Sequence, residues 1–320
     1  MLVLYVVWGT TYLAIKVGLD ADLPPALFAG VRQIPAAAIM FGIATWRGSS
    51  LRISPRDLRT SAVAGILLIV GGQYFTFLAE QNVPSGISAL VVALIPLWIA
   101  LAESGFPDMQ RPGKLGWLGL GIGFAGLGIL LWPRLVGVST GTQELIGISI
   151  QIVGTWLWAS GTIFSKRRPT AADSMVITGY EMLIAGGILL VLGSVLGEWS
   201  HFALTAPAIG ALLYLIVFGS AIAFTAFTYA LAHLPASKVM TYAFVNPAIA
   251  VFAGWAAGRL GLLDVPEPIT LPTLVGMIVI ISGVALTTTS PALPPRCAPV
   301  SAEEILLAEE PLAEPVPSEV

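Results

Sequence analysis

Near the N-terminus, Trp8, Thr11, Tyr12 and Lys16 are spaced three, one and four residues apart in a stretch otherwise built for lipid. That spacing places them on one stripe of a helix. Indole, hydroxyl, phenol and ammonium groups can grip a solute or a neighbouring helix without covalent chemistry. A second set, Trp158, Thr162 and Lys166, has the same form. Ionised groups inside an apolar span cost roughly 3 kcal/mol or more each unless they face water, a cavity or a partner. Lys16, Arg32 and Glu181 occupy such positions. Lys16 lies close enough to a span end to snorkel, with Glu80 a candidate partner at the same face. Lys166, beside Arg167 and Arg168, reads as an orientation signal. For the aromatic residues, packing or interfacial anchoring is an equal alternative to a cavity role.

Further polar groups lie at helical spacing in apolar surroundings: Gln73, Tyr74 and Thr76, then Thr225, Thr228 and Tyr229. They can bind a polar substrate or bond helix to helix. Pro96 and Pro247 fall near the middle of two other apolar runs, where proline removes a helical hydrogen bond and frees the carbonyls of Val92 and Ala243. Asn246, just before Pro247, adds a donor and an acceptor.

Other chemistries are excluded by what accompanies these groups. The 320 residues are 56% hydrophobic and only 10% charged, with mean hydropathy +0.88, so the chain reads as an all-α integral membrane protein. One cysteine, Cys297, and two histidines, His201 and His233, leave no metal or disulfide framework. No G-x-x-x-x-G-K-[ST] loop is present to hold ATP, and no cofactor is expected. The run "GIGFAG", Gly121 to Gly126, satisfies a dinucleotide pattern but lies inside an apolar span, where glycines pack helices. Outside residues 291–320 the chain carries fourteen Lys/Arg against twelve Asp/Glu, and no basic patch suggests nucleic acid.

The elements that must position these residues are apolar runs of near-spanning length: 2–19, 25–46, 59–80, 84–104, 113–132, 146–165, 174–197, 207–231, 235–257 and 270–289. The first lacks a basic leader and a cleavage site and reads as a retained helix. Residues 290–320, rich in Pro and Glu, read as a disordered cytoplasmic tail. With the N-terminus inside, the inner loops carry Arg47, Arg52, Arg56, Arg59, Arg111, Lys114, Lys166, Arg167, Arg168 and Lys238. The outer loops then carry Arg134 and Arg259. That bias places both termini in the cytoplasm of a cell (plasma) membrane protein.

Self-similarity organises the spans. "WGTTYLAIK" is echoed by "WASGTIFSK" at an offset of 150, pairing Trp8 with Trp158. "FAGVRQIPAA" aligns with "ITGYEMLIAG" at 149, setting Arg32 against Glu181, and the Pro96 segment aligns with the Pro247 segment at 151. Each repeat holds five spans, an odd number, so the expectation is ten transmembrane helices in two inverted-topology repeats, 1–132 and 146–289, joined by an outer linker, 133–145. Such halves exchange conformations around a midplane site. Arg32 and Glu181 would each lie about 10 Å deep from opposite faces of a roughly 30 Å core, about 10 Å apart along the normal. Each is expected to line or close its own half of a cavity, with Glu181 the candidate proton-coupling carboxylate.

The Trp-Gly-x-x-Tyr start of the first span, "GVRQ" in the second, the proline-centred fourth and ninth, and "PEPITLPTLVGMIVIISGVAL" at the end resemble the EamA-type drug/metabolite transporters over about residues 5–289. The resemblance implies a ten-helix carrier with spans 1–4 and 6–9 around a central cavity and spans 5 and 10 peripheral. It implies a carrier for small metabolites, often an exporter; the leading reading is a secondary active transporter moving a small polar or amphipathic metabolite, such as an amino acid or a drug, driven by its own gradient or by protons as the coupling ion. A channel or non-transporting scaffold, and an intramembrane enzyme, are the alternative classes.

Overall fold

The computed structural model describes residues 1–106, 111–135, 141–233, 242–263 and 269–293. Helices are numbered in chain order, and one interrupted by a turn or a π-helical segment keeps a single number. They are α1 (Leu2–Asp20), α2 (Pro25–Trp46), α3 (Pro55–Glu80), α4 (Ser85–Val92 and Ile95–Gly105) and α5 (Lys114–Leu135). Then follow α6 (Thr142–Arg167), α7 (Ser174–Val195), α8 (206–233), α9 (Tyr242–Arg259) and α10 (Leu271–Thr289). Seven of the described helices are long and apolar enough to cross a membrane, and Leu271–Thr287 is a shorter apolar segment. The chain is therefore a helical, multi-pass membrane protein.

Proline and capping side chains begin these helices. Ser54 accepts from the Asp57 amide ahead of α3, Thr205 from Ala208 at α8, and Thr270 from Thr273 at α10, each with proline in the first turn. The α7 cap, Asp173, accepts from Met175 N at 2.8 Å and also from Ser49 Oγ at 2.9 Å, in the α2–α3 turn. The start of α2 is capped across the fold. Glu198, just after α7, accepts from Leu27 N at 2.8 Å and Ala26 N at 3.3 Å, so α2 and α7 are pinned together at both ends.

Helix pairing follows close approaches at glycine. Gly30 meets Gly186 and Leu189, and Gly179 meets the Phe41 ring, where α2 lies against α7. A Cβ added to Gly126 would stand 2.7 Å from Ile280 N, and one on Gly119 would stand 2.6 Å from the Gly283 carbonyl. The "GIGFAG" run thus joins α5 to α10 as a packing surface, as its apolar setting implied. Elsewhere α1 packs on α8 and α9, α6 on α3 and α4, and α4 on α9. One core cluster joins α2, α3, α7 and α8 around Phe28, Phe77, Met40 and Met182. Another joins α4, α5, α9 and α10 around Leu90, Leu97, Val251 and Ile280.

Several expected details are corrected. The fourth run is broken at Ala93–Leu94, and Pro96 sits in the first turn of its second piece rather than mid-helix. A proline there forfeits no helical bond. Pro247, by contrast, lies inside a continuous α9. The sixth helix starts at Thr142, within the expected linker. Ala292 and Leu293, in the expected tail, form a two-residue antiparallel pair with Pro112 and Arg111. Residues 294–320 lie outside the described residues.

Two features were not foreseen. Ile66–Gln73 in α3 and Leu215–Ile222 in α8 are π-helical, at an offset of 149 residues. π-Helical turns loosen the backbone ladder and are frequent at functional sites.

Candidate substrate cavity

Both π-helical segments border one cavity between the two core clusters. Its wall takes Trp8, Thr11, Tyr12 and Ile15 from α1, Arg32 from α2, and Gly72, Gln73 and Thr76 from α3. The rest comes from Val92 and Ile95 of α4, Gln151, Gly154, Thr155 and Trp158 of α6, Gly219 of α8, and Tyr242 and Asn246 of α9. The volume open to the centre of a water is about 90 Å³. At about 30 Å³ for each water in the liquid, that is room for roughly three waters.

The two tryptophans are seated on the π-helical segments. Trp8 Nε1 donates to the Gly219 carbonyl at 3.3 Å, and its ring stands edge-on to Phe224 and Tyr242 at 5.6 and 4.8 Å. Trp158 lies over Gly72, where an added Cβ would meet the ring at 2.8 Å. The polar wall is a set of bonds between helices. Gln151, 1% exposed, accepts from Ser88 Oγ and donates to Thr76 Oγ1, each at 3.1 Å, tying α4, α6 and α3 together. Trp98 Nε1 donates to Thr155 Oγ1 at 3.0 Å, and Gln33 Nε2 donates to Gln73 Oε1 at 2.6 Å. The Asn246 amide, with its nitrogen toward the backbone, donates to the carbonyls of Tyr5 and Tyr242 at 3.0 and 3.1 Å.

The structure sorts the residues singled out from sequence. Trp8, Thr11, Tyr12, Arg32, Gln73, Thr76, Trp158 and Asn246 line the cavity, and Pro247 borders a smaller one behind Tyr12. Tyr74 is buried in the α2–α3–α7 core, and Pro96 is buried in α4. Thr162 bonds back to the Trp158 carbonyl at 2.9 Å, and Thr225 donates to Met40 Sδ at 3.8 Å. Tyr229 is 63% exposed on the outside of α8, so it is no part of this wall. The Thr228 side chain lies outside the described residues. Lys16 ion-pairs with Asp20 at 3.0 Å and reaches Glu80 through its backbone carbonyl at 3.2 Å, while the Glu80 carboxyl is buried. Glu181 is partly buried, with its backbone carbonyl against Gly65 of α3. Gly30 facing Leu189 and Phe41 facing Gly179 set Glu181 about a turn and a half to two turns from Arg32, or about 10 Å along α2. Among the described residues neither has an ion-pair partner.

Sequence reasoning passed over Gln33, Gln151, Thr155 and Tyr242. A signal existed for two of them: Gln151, Thr155 and Trp158 repeat on α6 the same i, i+4, i+7 stripe as Trp8, Tyr12 and Ile15 on α1.

Known proteins share this architecture. The EamA-like transporter family matches residues 1–132 and 145–289, most of the chain. The chain belongs to the EamA-like transporter family. Among its EamA relatives, the uncharacterized inner membrane transporter YedA of Escherichia coli K12 is 34% identical over 306 residues, covering 94% of this chain and 95% of YedA. The uncharacterized transporter YvbV of Bacillus subtilis 168 is 28% identical over 295 residues, covering 89% of each. A solved crystal structure matches with a TM-score of 0.64 at 20% identity over 90% of this chain and 94% of that one, a likeness of fold. An EamA transporter needs a solute path through its helices, and this cavity is where tryptophan, glutamine, tyrosine and arginine side chains converge.

Proposed function

We infer that the protein is a secondary active transporter of the inner (plasma) membrane. It exports a small polar or amphipathic metabolite by alternating access between two inverted five-helix repeats, with both termini cytoplasmic. The observation that carries this reading is how the cavity wall relates to the repeats. Two pairs of equivalent residues line it together: Trp8 with Trp158, and Ile95 with Asn246. In an inverted repeat, such pairs lie near the pseudo-two-fold axis, at the midplane. Every other lining residue with a polar side chain on α1, α2 and α3 lacks its equivalent. Thr11 and Tyr12 line the cavity while Gly161 and Thr162 do not, Gln73 and Thr76 do while Ile222 and Thr225 do not, and Arg32 does while Glu181 does not. Under the orientation given by the positive-inside bias, all of these lie in the outer half. Gln151, Gly154 and Thr155 belong to the outer half of α6 as well.

The cavity thus suits an outward-directed state, and Glu181 is the residue that would line the inner half after the exchange. Helix pairing supports the same symmetry: α1 with α8 mirrors α6 with α3, α1 with α9 mirrors α6 with α4, and α2–α7, α4–α9 and α5–α10 map onto themselves. Lys16, Asp20 and Glu80 would tie α1 to the end of α3 as an outer gate. Glu181 is the coupling carboxylate in this scheme.

Counterflow in proteoliposomes containing the full chain tests the reading. Saturable, stereoselective exchange of small metabolites is the expected result. A non-saturating, channel-like flux, or no solute flux at all, overturns it.

A further inference from the structure

Among the described residues, the cavity wall contains one side chain with a full charge. Arg32 is 2% exposed, its Nε has no hydrogen-bond partner, and among the described residues no carboxylate pairs with it. Its Cζ stands 5.0 Å from the centre of the Phe77 ring. That ring covers one face of the guanidinium and offers nothing to the N–H groups along its edge. The acids at the C-terminal ends of α1 and α3 are differently engaged: Asp20 pairs with Lys16, and Glu80 is buried, its backbone carbonyl held by the same lysine. Among the described residues no Asp or Glu lines the cavity.

A buried guanidinium left uncompensated is strongly unfavourable, and its planar fork is matched in shape and charge by a carboxylate, which accepts two parallel N–H bonds. The remaining wall is aromatic or neutral: Trp8, Tyr12, Trp158 and Tyr242 around Gln73 and Gln151.

We propose that Arg32 is the anchor for a carboxylate, and that the substrate is a small organic monoanion with an apolar or aromatic body. One guanidinium neutralises one negative charge, so a carboxylate is favoured over a doubly charged phosphate. A cation would find no carboxylate in this wall among the described residues and would be repelled by Arg32. This rests on the transporter reading, of which it names the substrate class.

The test uses three probes of matched shape, phenylacetate, phenylacetamide and phenethylamine, with phenyl phosphate as a fourth. Binding to the detergent-purified full chain is followed by thermal stabilisation and tryptophan fluorescence, and counterflow is measured in proteoliposomes. In the native protein, phenylacetate should bind at least tenfold more tightly than the amide, the amine or the phosphate. Arg32→Gln should abolish that preference, and Arg32→Lys should restore part of it. A purely structural Arg32 would lower stability in the Gln variant and leave the order of the probes unchanged. If Arg32→Gln does not fold, the native ranking and the Lys variant still decide. Equal binding of amide and anion, preference for the amine or phosphate, or no response to phenylacetate overturns the proposal. Counterflow of the amide or amine without the carboxylate would overturn the substrate class and leave transport standing. Carboxylate binding without flux of any probe would do the reverse.

Discussion

At the residue scale, the wall of the cavity is made by side chains that bond across helices, and their energies are modest. Gln151 holds Ser88 and Thr76 at 3.1 Å each. Interhelical hydrogen bonds in membranes average about 0.6 kcal/mol, and Thr76 keeps a back-bond to the Gly72 carbonyl at 3.4 Å when its partner is lost. Gln151→Leu should therefore cost only about 1 kcal/mol, read as a small fall in the thermal midpoint of purified protein, while raising KM for a counterflow substrate severalfold. A large fall in stability would show that the network is structural. Glu181 predicts the opposite pattern. Being off the cavity wall, Glu181→Gln should leave substrate binding unchanged and remove stimulation of transport by a pH gradient; stimulation equal to that of the native protein removes Glu181 from coupling.

At the element scale, what holds the helices in place is where they touch. A Cβ added at Gly72 would stand 2.8 to 3.3 Å from ring, side-chain and backbone carbons of Trp158, whereas one at Gly121 or Gly128 would meet open space. Gly72→Val should push α6 from the π-helical part of α3 and cut transport at least tenfold. Gly121→Val in the same assay should be close to neutral, because the added side chain meets open space and valine is a better helix former than glycine, and equal losses in both would detach transport from this contact. Apolar run length and charge made the helices readable from sequence to within a few residues, because about 20 apolar residues leave few other ways to satisfy a backbone in lipid. The interruptions were not readable. Pro96 suggested a break at itself, but the break came at Ala93–Leu94, and nothing in "ILLIVGGQ" or "LIVFGSAI" announces a π-helical turn. Repeat alignment also drew attention to Trp158–Lys166, when the stripe facing the cavity runs the other way from Trp158, back to Gln151. In the inverted-repeat arrangement proposed above, equivalent residues lie on opposite sides of the midplane, so only those near the axis line one cavity together.

At the scale of the whole molecule, the proposed exchange of inverted repeats makes the alternate state calculable from this one. Applying the repeat offset of 150 to Thr11, Tyr12 and Ile15 gives Gly161, Thr162 and Ser165, and the offset of 149 takes Arg32 to Glu181. Ser165 Oγ is enclosed without a hydrogen-bond partner among the described residues, which suits a position that meets solvent in another state. With Cys297 replaced by serine, the chain carries no cysteine, and single cysteines can be introduced at Thr11, Ser165 and Lys166. A membrane-impermeant maleimide added to the outer face of intact cells should label the Thr11 position and spare the other two. On inverted vesicles it should label the exposed Lys166 position throughout, and reach the Ser165 position only when conditions favour the inward state, as labelling at Thr11 declines. Two sites that rise and fall in opposition define alternating access. Simultaneous labelling of the Thr11 and Ser165 positions from one face, at rates that no gradient or solute shifts, would describe an open pore through both halves, and the exchange of repeats would have to be abandoned.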